Sequence, residues 1–174
     1  MTRNQVINNY YFYQKLLHMG KEIERKFLVK GEFRQLAVRK MRITQGYLSK
    51  DANRTVRVRV NDHKGFLTVK GKPNATGITR YEWEKEISLD EGKQLMNLCE
   101  PGIIDKTRFI VPEESGLKFE VDEFYGENEG LLLAEIELPS EDHSFTKPKW
   151  LGKEVTGDPR YHNSMLSKKP ISSW

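Results

Sequence analysis

From Lys21 onward the chain alternates apolar and charged residues with a period of two, and the charged members come in pairs. In a strand, residues i and i+2 share a face, so each pair marks one side of one strand. Glu22, Glu24 and Lys26 share a face. Val56, Val58 and Val60 oppose Arg57 and Arg59, and Leu67 and Val69 oppose Phe66, Thr68 and Lys70. Tyr81 and Trp83 oppose Arg80, Glu82 and Glu84, and Lys106 stands with Arg108. Phe119 and Val121 oppose Glu120 and Asp122; Ile136 and Leu138 oppose Glu135 and Glu137. An open sheet facing water carries scattered Thr, Ser, Gln and Lys, whereas carboxylates two residues apart repel each other unless cations or metal ions lie between them.

This patterning predicts a mainly β, α+β fold: a closed eight-stranded antiparallel barrel with a charged interior and helices packed on an apolar exterior. The strands are expected at 21–29, 41–49, 54–61, 65–71, 78–88, 104–111, 116–124 and 130–138. Turn residues separate them, as in Asn61-Asp62-His63-Lys64-Gly65 and Gly126-Glu127-Asn128-Glu129-Gly130. Helices are expected at 31–38, at 89–98 with an apolar stripe of Leu89, Leu95, Met96, Leu98 and Cys99, and at 160–167. On the outer faces Tyr81, Trp83 and Phe119 read as core. His63, His143 and His162 read as loop residues.

A chain of 174 residues has the length of one domain. The strongly patterned part starts beside Met19-Gly20, so residues 1–19 are read as a peripheral N-terminal extension and 20–174 as the single domain. Residues 1–18 lack the continuous apolar run of a secretion signal, and no stretch has the length and apolarity of a membrane span. One cysteine, Cys99, forms no internal disulfide, which suits a reducing cytoplasm. The net charge of +4 is modest, and acidic pairs matching the Arg pairs would repel a phosphate backbone, so nucleic acid is not the expected partner.

The charged faces hold eight acids and seven bases, close to neutral. Two divalent cations on the carboxylates would make the lining positive and suited to a compact polyanion with several phosphoryl groups. Oxygen-only donors point to Mg²⁺ or Mn²⁺ and away from zinc.

In their order along the chain these residues resemble the CYTH superfamily, the triphosphate tunnel metalloenzymes, in its small bacterial branch. Glu22-x-Glu24-x-Lys26 is followed by Gln45-Gly46-Tyr47-Leu48, Arg57-x-Arg59, Thr68-x-Lys70, Arg80-x-Glu82-x-Glu84, Lys106-x-Arg108, Glu120-x-Asp122 and Glu135-x-Glu137. The tail Glu154-Val155-Thr156-Gly157-Asp158-Pro159-Arg160-Tyr161 is also similar. The resemblance implies a Mg²⁺- or Mn²⁺-dependent reaction on a triphosphate. Lys26, Arg57, Arg59, Lys70, Arg80, Lys106 and Arg108 would grip phosphate oxygens. Glu22, Glu24, Glu135 and Glu137, with Asp122, would hold metal, and Glu82, Glu84 and Glu120 would bind metal or position water. Lys26 and Tyr47 would form a catalytic pair, Lys26 serving as a base if neighbouring cations lower its pKa. The expected activity is hydrolysis of inorganic triphosphate to phosphate and diphosphate. The alternatives are a nucleoside or thiamine triphosphatase, an adenylate cyclase, and a non-catalytic polyphosphate- or nucleotide-binding module. A homodimer is the oligomer the resemblance suggests.

Overall fold

A computed structural model describes residues 22–75 and 79–174, excluding the side chains of Glu22 and Thr79. The expected extension, residues 1–19, lies outside the described residues. Among the described residues ten strands form one antiparallel sheet: β1 (Glu22–Val29), β2 (Arg39–Ser49), β3 (Arg54–Val60), β4 (Gly65–Gly71), β5 (Thr79–Arg80), β6 (Glu82–Ile87), β7 (Ile104–Pro112), β8 (Lys118–Phe124), β9 (Leu132–Glu137) and β10 (Leu151–Glu154). Helix α1 (Leu89–Met96) follows β6, and the one-turn α2 (Asn163–Leu166) lies near the C-terminus.

The strand order is β10-β1-β9-β8-β7-β2-β3-β4-β6, with β5 pairing β1 off this path. Consecutive hairpins build β2-β3-β4-β6 and β7-β8-β9. Their turns are made locally: Asn61 Oδ1 accepts from the amides of His63 and Lys64, both at 2.9 Å, and turns β3 into β4.

The closed eight-stranded barrel expected from the sequence is not what forms. The main path of the sheet is open, with β10 and β6 at its ends, and among the described residues β1 and β5 bridge the gap only where Glu22 pairs Arg80 and Ile23 pairs Thr79. The reason lies in β1. One edge is taken by β9 and the C-terminal half of the other by β10, through Phe27 and Val29. Among the described residues β5 pairs only the first two residues of β1. The expected strand 78–88 accordingly breaks at Tyr81 into β5 and β6.

The larger core packs the outer faces of β1, β7, β8 and β9, with Phe27, Phe109, Phe119, Val121 and Ile136 buried under Phe33 and Trp150. Phe33 meets Phe109 edge-on at 5.4 Å and Trp150 meets Phe119 at 5.1 Å. The cover here is loop rather than helix: of the expected helix 31–38 only a 3-10 turn at Arg34–Leu36 forms. Tyr81 and Trp83, expected in the core, are exposed, because nothing among the described residues buries the outer face of β6. The expected helix at 160–167 divides into a 3-10 turn, Pro159–Tyr161, and α2.

Helix α1 begins with a capping box, in which Ser88 Oγ accepts from the Glu91 amide and Glu91 Oε2 accepts from the Ser88 amide. Its buried residue is Gly92, with Leu98 exposed beyond its end, rather than the full expected stripe. A Cβ on Gly92 would stand 3.1 Å from the Gly65 Cα and 2.7 Å from Val60, so this close helix-to-sheet approach requires glycine. A second core, formed by Ile104, Phe124, Leu131, Leu133, Val155 and Leu166, closes one end of the charged face.

Candidate active site

The charged face carries three ion-pair groups, each set by strand register. On β1 and β9, Lys26 stands opposite Glu135 and Glu24 opposite Glu137. Lys26 Nζ lies 2.8 Å from Glu135 and 3.7 Å from Glu24, and Arg80 reaches Glu24 at 3.8 Å. The C-terminal segment holds this strand in place. Lys26 donates its amide to Thr156 Oγ1 at 3.0 Å and its Nζ to the Tyr161 carbonyl at 3.4 Å.

Across β3, β4 and β6, Glu84 Oε2 accepts from Thr68 Oγ1 at 2.8 Å and from Arg59 at 2.9 Å, with Arg57 at 3.4 Å. Lys70 pairs with Glu82 at 2.6 Å. Across β7, β8 and β9, Asp122 is almost completely buried and accepts Lys106 Nζ at 2.5 Å together with Arg108 Nε at 2.7 Å and Nη2 at 2.6 Å. Arg108 also pairs with Glu120 and reaches Glu135 at 3.2 Å. Lys118 joins Glu120 at 2.7 Å.

These surroundings set the protonation states. Burial pushes the Glu120 and Glu135 carboxyls toward their neutral forms, but the facing cations outweigh it; Glu120 falls to about 2 and Glu135 is also lowered. Burial and Arg57 pull Arg59 down to about 10. Burial lowers Lys106 to about 8 despite Asp122. For Lys26 the direction opposes the expectation. Burial would lower it, but Glu135 and Glu24 are its nearest charges and hold it above the ordinary lysine value. Burial raises Tyr47 to about 12, against the pull of Arg57, Arg80 and Lys26. Tyr47 on β2 therefore shares one field with residues of β1 and β5, neither of which borders β2, as a strongly curled sheet requires.

Lys26, Tyr47, Arg57, Arg59, Lys70, Arg80, Lys106 and Arg108 thus share one lining with Glu24, Glu82, Glu84, Glu120, Asp122 and Glu135. Glu137 is at its exposed rim. The Glu22 side chain lies outside the described residues. Among the described residues no three His, Cys, Asp or Glu side chains stand close enough to hold a metal ion. The donors are nevertheless of the right kind. Glu24 and Glu137 face each other directly across β1 and β9, an arrangement of like charges that a hard cation would relieve.

Three further residues join the lining. Thr68 is fully buried and ties Arg57 to Glu84. Gln45 is fully buried and donates to Tyr47 Oη at 3.2 Å. His162, read as a loop residue, feels Lys26, Arg80 and Glu135, and burial together with those cations lowers it to about 4. Thr68 and Gln45 lie within the ordered motifs, whereas nothing in the alternation marks His162. Gly46, between Gln45 and Tyr47, allows β2 to pack against the segment after α1, since a Cβ there would meet Cys99 and Ile103 at 2.8 and 2.7 Å.

The CYTH domain matches residues 20–170. The chain belongs to the CYTH family. An inorganic triphosphatase from Acetivibrio thermocellus is 50% identical over 157 residues, covering 90% of this chain and 99% of that protein. A second inorganic triphosphatase, from Nitrosomonas europaea, is 36% identical over 84% of this chain and 96% of its own length. A crystal structure of an inorganic triphosphatase superimposes with a TM-score of 0.58 at 34% identity, covering 84% of this chain and 93% of that one. The CYTH match begins beside the first described strand and ends just past α2, so it spans the whole charged lining.

Proposed function

We propose that this CYTH chain hydrolyses inorganic triphosphate to phosphate and diphosphate, with Mg²⁺ or Mn²⁺ bound among its carboxylates. The observation that carries this reading is the convergence of Lys26, Arg57, Arg59, Lys70, Lys106 and Arg108 on one lining, each held by a counter-carboxylate. Relatives named inorganic triphosphatase, spanned almost end to end, support it.

A bound divalent cation supplies charge neutralisation at the phosphoryl oxygens. Glu24 and Glu137 would hold it, with Glu22 adjoining and Glu135 contributing where Lys26 and Arg108 release it. The chain's own groups do the rest. The cations exchange their carboxylate partners for phosphate oxygens, the Arg side chains in bidentate fashion. Asp122 keeps Lys106 and Arg108 aimed, and Glu82 and Glu84 do the same for Lys70, Arg57 and Arg59. Water attacks the terminal phosphorus in line as the bond to the bridging oxygen breaks. One water proton stays on the orthophosphate and the other leaves on the diphosphate. Lys26 and Arg80 offset the charge that develops. A reducing cytoplasm and a homodimer fit this reading.

The test incubates the protein with tripolyphosphate, ATP and thiamine triphosphate, with Mg²⁺, Mn²⁺ or EDTA, and identifies every product. Orthophosphate plus diphosphate from tripolyphosphate, abolished by EDTA, is expected. Cyclic AMP from ATP, or binding without turnover, would overturn the reading.

A further inference from the structure

Strand β2 lies between β7 and β3, so its charged-side face stands between two banks of cations. Lys106 and Arg108 flank it on β7, and Arg57 and Arg59 on β3. What β2 presents there is neutral: Ile43 opposite Lys106, Gln45 opposite Arg59, and Tyr47 opposite Arg57. A phosphate chain gripped from both banks would pass over these side chains. Gln45 is 0% exposed. Its Nε2 donates to Tyr47 Oη at 3.2 Å, and its Oε1 is buried without a hydrogen-bond partner among the described residues.

An amide oxygen left this way costs about 1–3 kcal/mol, and a native structure tolerates it where the atom has work to do. Among the described residues the facing cations Arg57 and Arg59 give their Nη2 atoms to Glu84, while Arg57 Nε is itself buried without a partner; the ligand that brings a new donor to a phosphate site is water. Tyr47 supplies the anchor. It keeps its proton at neutral pH, its ring is buried, and its oxygen fixes the amide so that Oε1 cannot rotate away.

We propose that Gln45 is a catalytic residue of the hydrolysis: its Oε1 accepts one O–H of the attacking water and turns the water's lone pair toward the terminal phosphorus. Tyr47 then acts through Gln45, as a positioning residue. Gln45 forms no covalent bond; the bonds made and broken are those of the hydrolysis above, on which this inference rests.

The experiment first establishes that the wild-type protein hydrolyses tripolyphosphate; if it does not, the functional reading itself fails. It then compares Q45M, which keeps length and removes both poles, Q45E, which keeps an acceptor, Y47F, and Q45M/Y47F. Q45M should lose about 100-fold in kcat with KM within threefold, the scale for one group that handles the reacting water. Q45E should recover kcat at saturating substrate, with KM raised by its charge. The double variant should be no slower than Q45M. Wild-type kcat in Q45M, a Q45E no faster than Q45M, or losses that multiply in the double variant would each overturn the proposal. Q45E retains the shape and polarity of the site, so its comparison with Y47F stands even if Q45M fails to fold.

Discussion

Replacing Asp122 by Asn removes one charge from the most buried ion pair in the lining and leaves Lys106 and Arg108 facing each other. Breaking a buried pair from one side costs about 3–5 kcal/mol, because the remaining charge is stranded. In a domain of this size each kcal/mol lowers the melting temperature by about 2–4 °C, so D122N should melt about 10 °C below wild type at pH 7. The penalty also has a pH signature. The native Lys106 pKa of about 8 lies below its unfolded value of 10.5. Between those values the unfolded chain holds a proton that the native protein has released, so this group makes wild-type stability rise with pH across that window. Asp122 raises the Lys106 pKa, so its loss moves the native value further down and widens that window toward neutral pH. Part of the D122N penalty, on the order of 1 kcal/mol, should therefore disappear between pH 7 and pH 9. Urea denaturation followed by circular dichroism at both pH values measures it. A D122N protein melting within about 2 °C of wild type, or a gap that stays constant between pH 7 and pH 9, would refute the reasoning.

K26M should lower kcat for tripolyphosphate about 100-fold while leaving the binding constant within threefold, since Lys26 is argued to act on charge that develops during reaction. Because Lys26 is held above its ordinary pKa, the pH–rate profile should show no limb from it below pH 10; unchanged turnover in K26M would remove it from the chemistry. S88A should cost about 1 kcal/mol in urea denaturation by deleting the α1 capping box, with tripolyphosphate turnover unaltered; a loss of turnover would mean that α1 bears on the lining.

The charged lining was legible because a strict period of two says which residues share a face, and paired carboxylates beside paired cations need one another. Arg57 with Glu84, Lys70 with Glu82, and Lys106 and Arg108 with Asp122 follow from that rule plus antiparallel register. Alternation does not say what lies over the other face, which is why Tyr81 and Trp83 read as core and stand in solvent. Nor does it mark β10, only four residues long, which takes the Phe27 and Val29 end of the β1 edge. The direction of the Lys26 pKa differs from the expected one for a separate reason. Counting nearby cations ignores distance, and the nearest charges are Glu135 and Glu24.

The β1 ladders also bear on how the molecule comes into being. The hairpins β2-β3-β4-β6 and β7-β8-β9 each join neighbours in sequence and bring their own cations and counter-ions. β1 is different: Arg25 bonds Glu154 across 129 residues, and Lys26 bonds Thr156 across 130. Loops of that length close late and slowly. A chain emerging from synthesis can fold both meanders before its last strand exists, yet Lys26 reaches Glu135 only when the two ends of the polypeptide come together. Turnover is therefore a reporter of complete folding, and a refolding time course should show sheet signal well before it shows activity.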